Sequence, residues 1–422
     1  MKHTEQTYRL ARDRYADVGV DADSALKRLA RIPISMHCWQ ADDVGGFETK
    51  KEAVSGGGLV ATGSYPGRAR TADEARADYA QVLALVPGKL RLNLHACYAE
   101  TGRKFVDRDR LEPAHFSNWM NWARKHRVRL DFNPTFFAHP KANDGFTLSH
   151  LDRGIRRFWV RHAVASRRIA EAMGRAQGGP CICNHWIPDG DKDMPADRWT
   201  HRALLTESLD AAIAKERSVS RKWCADFVES KLFGIGSEEY VVGSAEYYAG
   251  YALSRGVGLC LDMGHYHPTE TIHDKIPALL QFHKRLLLHL SRPLRWDSDH
   301  VVLFNDDLRN VFLELQRGNA WEKVALSTDF FDASINRIAA YVIGLRAVRK
   351  AVLYALLDPS ATLREMEAAG DRTARLALME TMKTLPFGSV WAEVCRRAGV
   401  PQDHEWIRAV KRYEKAVLSR RG

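Results

Sequence analysis

Four stretches in the second half of the chain carry acids and imidazoles at spacings that packing alone does not require. Residues 227–231 read FVESK, 258–267 GLCLDMGHYH, 286–299 LLLHLSRPLRWDSD and 324–332 VALSTDFFD. Each is a mostly apolar run of strand length that ends in polar residues. Glu229 and Lys231 stand two apart, as do Asp297 and Asp299, so each pair shares one side of an extended segment. Asp262 is followed by His265 and His267, His289 lies inside its run, and Asp329 is followed by Asp332. Taken singly, such residues are mostly ordinary. A strand-end histidine is commonly a hydrogen-bonded core residue, and an aspartate after a strand commonly caps the next helix. Convergence changes the reading. Glu229, Asp262, Asp297, Asp299 and Asp329, five carboxylates on one rim with His265 and His289, would repel one another as ionised groups unless one or two divalent cations sat among them.

The ligand types narrow the ion. Carboxylate with imidazole and no thiolate suits Mn²⁺, Mg²⁺ or Co²⁺, with Zn²⁺ acceptable where histidine takes part. Cys260 lies two residues before Asp262 and shares its side, but deeper, and reads as core. His95 in LNLHA and Trp186 in NHWIPDG close earlier runs. A neutral imidazole and a broad aromatic face opposite a metal pair suit a polyhydroxylated ligand, with the ring covering C–H surface while the histidine bonds a hydroxyl. Lys231 beside a cation is placed to contact a substrate oxygen and stabilise developing negative charge.

Eight strand-length runs must present these residues: 34–40, 91–98, 128–134, 181–187, 225–231, 258–264, 286–292 and 324–330. Segments of helical period separate them, such as FSNWMNWARKH with Phe116, Trp119, Met120 and Trp122 on one face. Strands that alternate with helices and are apolar on both faces imply a parallel sheet. Eight such units fit a closed (β/α)8 TIM barrel, an α/β fold whose strand C-termini carry the chemistry. An open doubly wound sheet would show GxGxxG after its first strand, and none is present. The stretch SGGGLVATGSYPG (55–67) lacks a Walker Lys-Ser/Thr ending and reads as a flexible active-site or subunit-contact loop. Residues 1–31 read as an N-terminal helical extension with Asp23 or Ser24 as a cap, 32–336 as the catalytic barrel, and 337–422 as a C-terminal helical extension for subunit contacts.

The chain has 422 residues, is 45% hydrophobic and 27% charged, and so can bury a large core. Its net charge of +11 raises nucleic-acid binding, but Arg and Lys are interspersed with acids and no run of five or six like charges occurs. No stretch of eighteen uncharged apolar residues argues for a membrane span, and the polar start has no apolar signal segment. Seven cysteines, mostly inside apolar runs and without zinc-site spacing, fit a reduced, cytoplasmic protein.

The ordered set ISMHCWQADDVGGFE, LNLHACY, DFNPTFFAHP, NHWIPDG, VESKLFGIG, LCLDMGHYHPTE, LLLHLSRPLRWDSDHVVL and DFFDASINRIAA strongly resembles the L-rhamnose isomerase family, over essentially the whole chain. The resemblance implies a xylose isomerase-like barrel, a homotetramer, two divalent metals and interconversion of L-rhamnose and L-rhamnulose, the first step of L-rhamnose degradation. By motif, it implies that Glu229, Asp262, His289 and Asp329 surround a structural metal (Zn²⁺ or Mn²⁺). His265, Asp297 and Asp299 would surround a catalytic Mn²⁺, with Asp262 placed to touch both. His95, Lys231 and Trp186 correspond to substrate contacts, and Asp329, Lys231 and His95 to the catalytic set. His267 is left between a supporting role and none.

Aldose–ketose isomerisation proceeds either through an enediolate, which needs a carbon base, or by a metal-assisted hydride shift from C2 to C1. No isolated Glu is placed as a carbon base, since the acids are taken up as ligands. The hydride shift is therefore expected, as the resemblance also implies. Three competitors remain. One is a related barrel isomerase or epimerase for L-mannose- or D-allose-type sugars. Another is a metal-dependent phosphodiesterase, which would need more histidines and a basic groove. The last is a non-catalytic sugar-binding protein.

Overall fold

A computed structural model describes residues 2–48, 63–232, 239–402 and 404–421; residues 55–62 of the glycine-rich stretch lie outside these. Eight parallel strands close into a barrel: β1 (Ile34–His37), β2 (Leu90–His95), β3 (Arg129–Asn133), β4 (Cys181–Trp186), β5 (Cys224–Glu229), β6 (Gly258–Asp262), β7 (Leu286–Leu290) and β8 (Val324–Thr328). Strand order around the ring follows the sequence, with β8 returning beside β1. The α/β reading and the eight runs expected from sequence therefore meet in one closed (β/α)8 barrel. Strands β6 and β7 are buried at every position, because helices cover their outer faces and side chains fill the interior. Phe227, Cys260 and Leu287 form one such interior layer, which places Cys260 in the core beneath the polar rim.

Pairing is uneven around the ring. β4 and β5 run in register over six positions, from Cys181 opposite Cys224 to Trp186 opposite Glu229. By contrast β1 meets β8 at one, Ser35 opposite Ser327, and β3 meets β4 at one, Phe132 opposite Cys183.

Two helices precede the barrel, α1 (Lys2–Ala16) and α2 (Ala22–Leu29). The cap of α2 is Asp21, whose carboxylate accepts from the Ser24 amide at 3.0 Å, rather than Asp23 or Ser24. Asp23 instead accepts from Tyr8 and Arg397, tying α1 to the C-terminal helices. The intervening helices are α3 (Ala72–Leu83), α4 (Ser117–His126), α5 (Arg153–Ala176), α6 (Arg198–Leu209), α7 (Ala245–Arg255), α8 (Ile272–Leu279) and α9 (Asp306–Arg317). Helix α10 (Arg337–Leu356) differs from the expectation of an appended helix. It packs on α9, α2, α3 and β1 and is buried along nearly its whole length, so it completes the eighth β/α unit. Its Arg349 is fully buried and donates to the carbonyls of Ile32 (2.6 Å) and Lys89, pinning the strand N-termini opposite the acid rim. Four further helices, α11 (Ser360–Ala368), α12 (Arg372–Met382), α13 (Phe387–Ala398) and α14 (Glu405–Ala416), end the chain. Among the described residues no helix is long and apolar enough to cross a membrane, and the seven cysteines are buried.

Candidate metal centre and the wall facing it

The ends of β5 to β8 bring acids and imidazoles into two overlapping groups. Glu229, Asp262, His289 and Asp329 each offer a ligand atom within 4.8 Å of the others. Asp262, His265 and Asp297 do the same, so Asp262 belongs to both groups. His289 Nδ1 lies 3.0 Å from Glu229 and 3.1 Å from Asp329, while His265 Nε2 lies 3.1 Å from Asp297. Register makes this possible: Asp262 is paired across the sheet with His289, and Glu229 with Cys260.

The electrostatics are those of crowded charge. Burial lifts the Asp262 carboxyl well above the usual range, and neighbouring Asp329, Asp297 and Glu229 add to it against the pull of His265. Burial and the same clustering of acids lift Asp299. Burial would also lift Glu229 and Asp297, yet His289 and His265 respectively hold them below the ordinary values. Burial opposes charge on the two imidazoles, but Asp297 and Asp262 raise His265, and Cys260, Glu229 and Asp329 raise His289, well above the usual histidine range. Several polar atoms here are buried without a hydrogen-bond partner among the described residues: Asp262 Oδ2, Asp297 Oδ1, His265 Nδ1 and His289 Nε2. Orphaned carboxylate and imidazole atoms with converging negative charge form the donor set of an oxygen- and nitrogen-ligated divalent cation, and the residues fit one.

The segment joining the groups is built around a glycine. Gly264 N–H donates to Asp262 Oδ1 at 2.6 Å. A Cβ at Gly264 would stand 2.5 Å from Asp297 Oδ1 and 3.2 Å from Asp262 Oδ1, so no larger residue fits between these acids. Past this turn His265 points inward, whereas His267 is exposed and bonds Thr269 Oγ1 at 2.8 Å. His267 lies outside both groups. Asp299 is in neither group; its backbone is left-handed (φ 43°), and its carbonyl accepts from the Phe331 amide at 2.7 Å.

Across from the acids stands an aromatic wall. Its centre is His95, whose ring meets Trp39 (5.1 Å between centroids) and Phe137 (5.8 Å) edge-on. Phe137 in turn meets Trp186 at 5.7 Å, and Lys231 Nζ lies 5.0 Å from the Trp186 ring. Asn133 Nδ2 donates to His95 Nε2 (3.2 Å), so the ring proton sits on Nδ1 and faces Thr135 Oγ1 (3.2 Å). Burial, with the charges of Arg108 and His289, pushes His95 down to about 3, and it is neutral at any ordinary pH. The Trp186 indole N–H is buried without a partner among the described residues.

All the residues expected from sequence thus lie at the strand C-terminal end, with Asp299 beside the groups rather than within them. Three contributors escaped sequence reasoning: Asn184, Trp39 and Phe137. Asn184, which donates to Glu229 Oε2, looks like any strand amide. Trp39 and Phe137 look like core aromatics, although each follows a barrel strand by two to four residues, which was the available signal.

A (β/α)8 barrel with a buried carboxylate–imidazole rim opposite an aromatic wall defines a barrel enzyme suited to divalent cations and a small polar ligand. The family model for L-rhamnose isomerase (RhaA) matches residues 2–421. The chain is 55% identical over 418 residues to an L-rhamnose isomerase of Rhodopirellula baltica, covering 99% of this chain and 97% of that one. It is 53% identical over 418 residues to the L-rhamnose isomerase of Escherichia coli K12, covering 99% of each. A solved L-ribulose 3-epimerase overlays with a TM-score of 0.45 at 13% identity, over 81% of this chain and 98% of that one. The chain belongs to the L-rhamnose isomerase family.

Proposed function

We propose that this enzyme interconverts L-rhamnose and L-rhamnulose by a 1,2-hydride shift. The hydrogen on C2 moves to C1 with its electron pair and a proton passes from O2 to O1, so no external oxidant or reductant is needed. Glu229, Asp262, His289 and Asp329 would hold a structural ion (Zn²⁺ or Mn²⁺), and His265, Asp297 and Asp299, with Asp262 shared, a Mn²⁺ near the sugar. When bound, such ions supply Lewis-acid polarisation of O1 and O2. Lys231 places an ammonium beside Asp297, whose carboxyl its charge helps to lower, and is positioned to steady negative charge on a substrate oxygen. Trp186 covers C–H surface and offers its indole N–H. His95, with both ring nitrogens held by Asn133 and Thr135, offers its neutral ring face to the substrate. Asp329, Lys231 and His95 form the catalytic set of this reading.

The substrate is taken from the family. The observation that carries the mechanism is the contrast between the two sides of the site. The wall of Trp39, His95, Phe137 and Trp186 contains no carboxylate, and its imidazole, at about 3, is too weak a base to strip a carbon. Metal-stripped protein assayed on a panel of aldoses, with and without added Mn²⁺, tests the function. If no aldose is converted once metal is restored, the reading fails. L-Rhamnose deuterated at C2 tests the mechanism: the label is expected at C1 of the product, and its loss to solvent would favour an enediolate. The reading includes a cytoplasmic homotetramer that uses the terminal helices for subunit contacts and acts at the first step of L-rhamnose degradation.

A further inference from the structure

We infer that Arg108 is a positioning residue that sets the shape of the substrate wall, and through it the choice between sugars that differ far from C1 and C2. Arg108 lies in the loop after β2 and is 2% exposed. Its guanidinium makes five donor contacts, one for each N–H it owns. Nε and Nη2 bind the Glu48 carboxylate at 3.2 and 2.6 Å. Nη1 donates to the carbonyls of Thr135 (2.9 Å) and Phe137, and Nη2 to that of Ala138 (3.1 Å). One side chain therefore ties together the loops that follow β1, β2 and β3.

Three wall features depend on the segment so held. Thr135 Oγ1 receives the His95 ring proton and also the Cys97 amide at 3.2 Å. Phe137 fills the gap between His95 and Trp186. Ala138 is held at φ 51°, a left-handed backbone that a residue with a Cβ adopts only when its surroundings impose it. The Arg108 bonds to residues 135, 137 and 138 impose it here. His162 braces the arrangement from behind: its Nε2 accepts from the Thr135 amide (3.1 Å), which leaves Nδ1 to donate to the Arg108 carbonyl (3.0 Å). A planar fork with five donors suits this task, and an ammonium with three cannot serve a carboxylate and three carbonyls together.

The inference rests on the proposed orientation, in which the acid rim takes O1 and O2 and the rest of the sugar meets the wall. Turnover of L-rhamnose by the unmodified enzyme tests the proposed function separately, so its failure is told apart from failure of the inference. The test compares Arg108→Met, Arg108→Lys and the double variant Arg108→Met/Glu48→Met, which leaves no buried charge unpaired. Each is assayed on L-rhamnose and on L-mannose, the analogue with a hydroxyl on C6, and its Mn²⁺ affinity is measured by calorimetry after metal stripping. The expected result is a KM for L-rhamnose raised about tenfold, a kcat reduced about threefold or less, and a preference between the two sugars shifted about fivefold. Mn²⁺ affinity should stay within about twofold, and Arg108→Lys should fall between wild type and Arg108→Met. An unchanged KM and preference in the folded double variant would overturn the inference. So would a fall in kcat and Mn²⁺ affinity at constant KM, which marks general support of the fold. If none of the three variants folds, Arg108 is a folding residue and the inference falls.

Discussion

The rim of β5–β8 and the rim of β1–β3 face each other across one barrel mouth, yet they are built on opposite plans. The first crowds acids and imidazoles together and leaves Asp262, Asp297, His265 and His289 with unpartnered atoms. The second carries rings, binds both nitrogens of His95, and keeps that imidazole neutral. Unsatisfied polar atoms are costly unless something else satisfies them, so the first rim is shaped for a guest ion and the second for a guest with C–H surface. A charge requires only ligands of the right type and distance, whereas a shape requires a scaffold, which Arg108 provides.

Breaking the acid rim should have the largest effect. Asp262→Ala removes the member common to both groups, and kcat/KM is expected to fall about 10³-fold or more, with metal content per chain reduced on elemental analysis. Full activity in that variant would separate the acids from the chemistry. Gly264→Ala tests the same rim without touching a ligand. Its methyl would press on Asp297, and Mn²⁺ affinity should weaken about 10–100-fold in a calorimetric titration. On the wall side, His95→Asn should raise KM about tenfold while leaving Mn²⁺ affinity unchanged, so the two rims come apart in one pair of measurements.

The neutral state of His95 also has a signature in stability. The unfolded chain takes up a proton on this histidine below about 6.5, whereas the folded chain holds it off until about 3. Its contribution to stability is therefore fully present above 6.5 and is lost as pH falls from there toward 3. Wild-type unfolding free energy should drop across that window, and His95→Asn should flatten the slope by about 1.4 kcal/mol per pH unit. The smallest effect is expected from His267→Ala. The ring is exposed and bonds only its own turn, so kcat/KM should stay within about twofold.

The strands were legible because each apolar run stops where the barrel opens, and the acids were legible because polar types at such stops are unusual. His265 and His267 show where legibility ends. They share type and neighbourhood, but direction after the Gly264 turn is set by what the turn packs against, and no alternation rule supplies it. Asn184 and Phe137 escaped for a related reason, since their roles lie in which distant residue they touch. Helix α10 was read as an appendage because periodicity reports a buried face without saying what buries it. Asp21 took the cap expected of Asp23 or Ser24 because Asp23 is occupied by Tyr8 and Arg397.

The sparse strand pairing at two points of the ring divides the barrel mouth into two arcs. β1 meets β8, and β3 meets β4, at one registered position each, and these joints flank the arc of β1–β3 that bears most of the wall. Side chains take over at these joints: His37 Nδ1 meets Thr328 Oγ1 at 2.8 Å across the first, and the Ile182 amide donates to Asp131 Oδ1 at 2.9 Å across the second. The acids and most of the rings thus stand on separately paired arcs, joined at each seam by side-chain bonds beside a single registered pair.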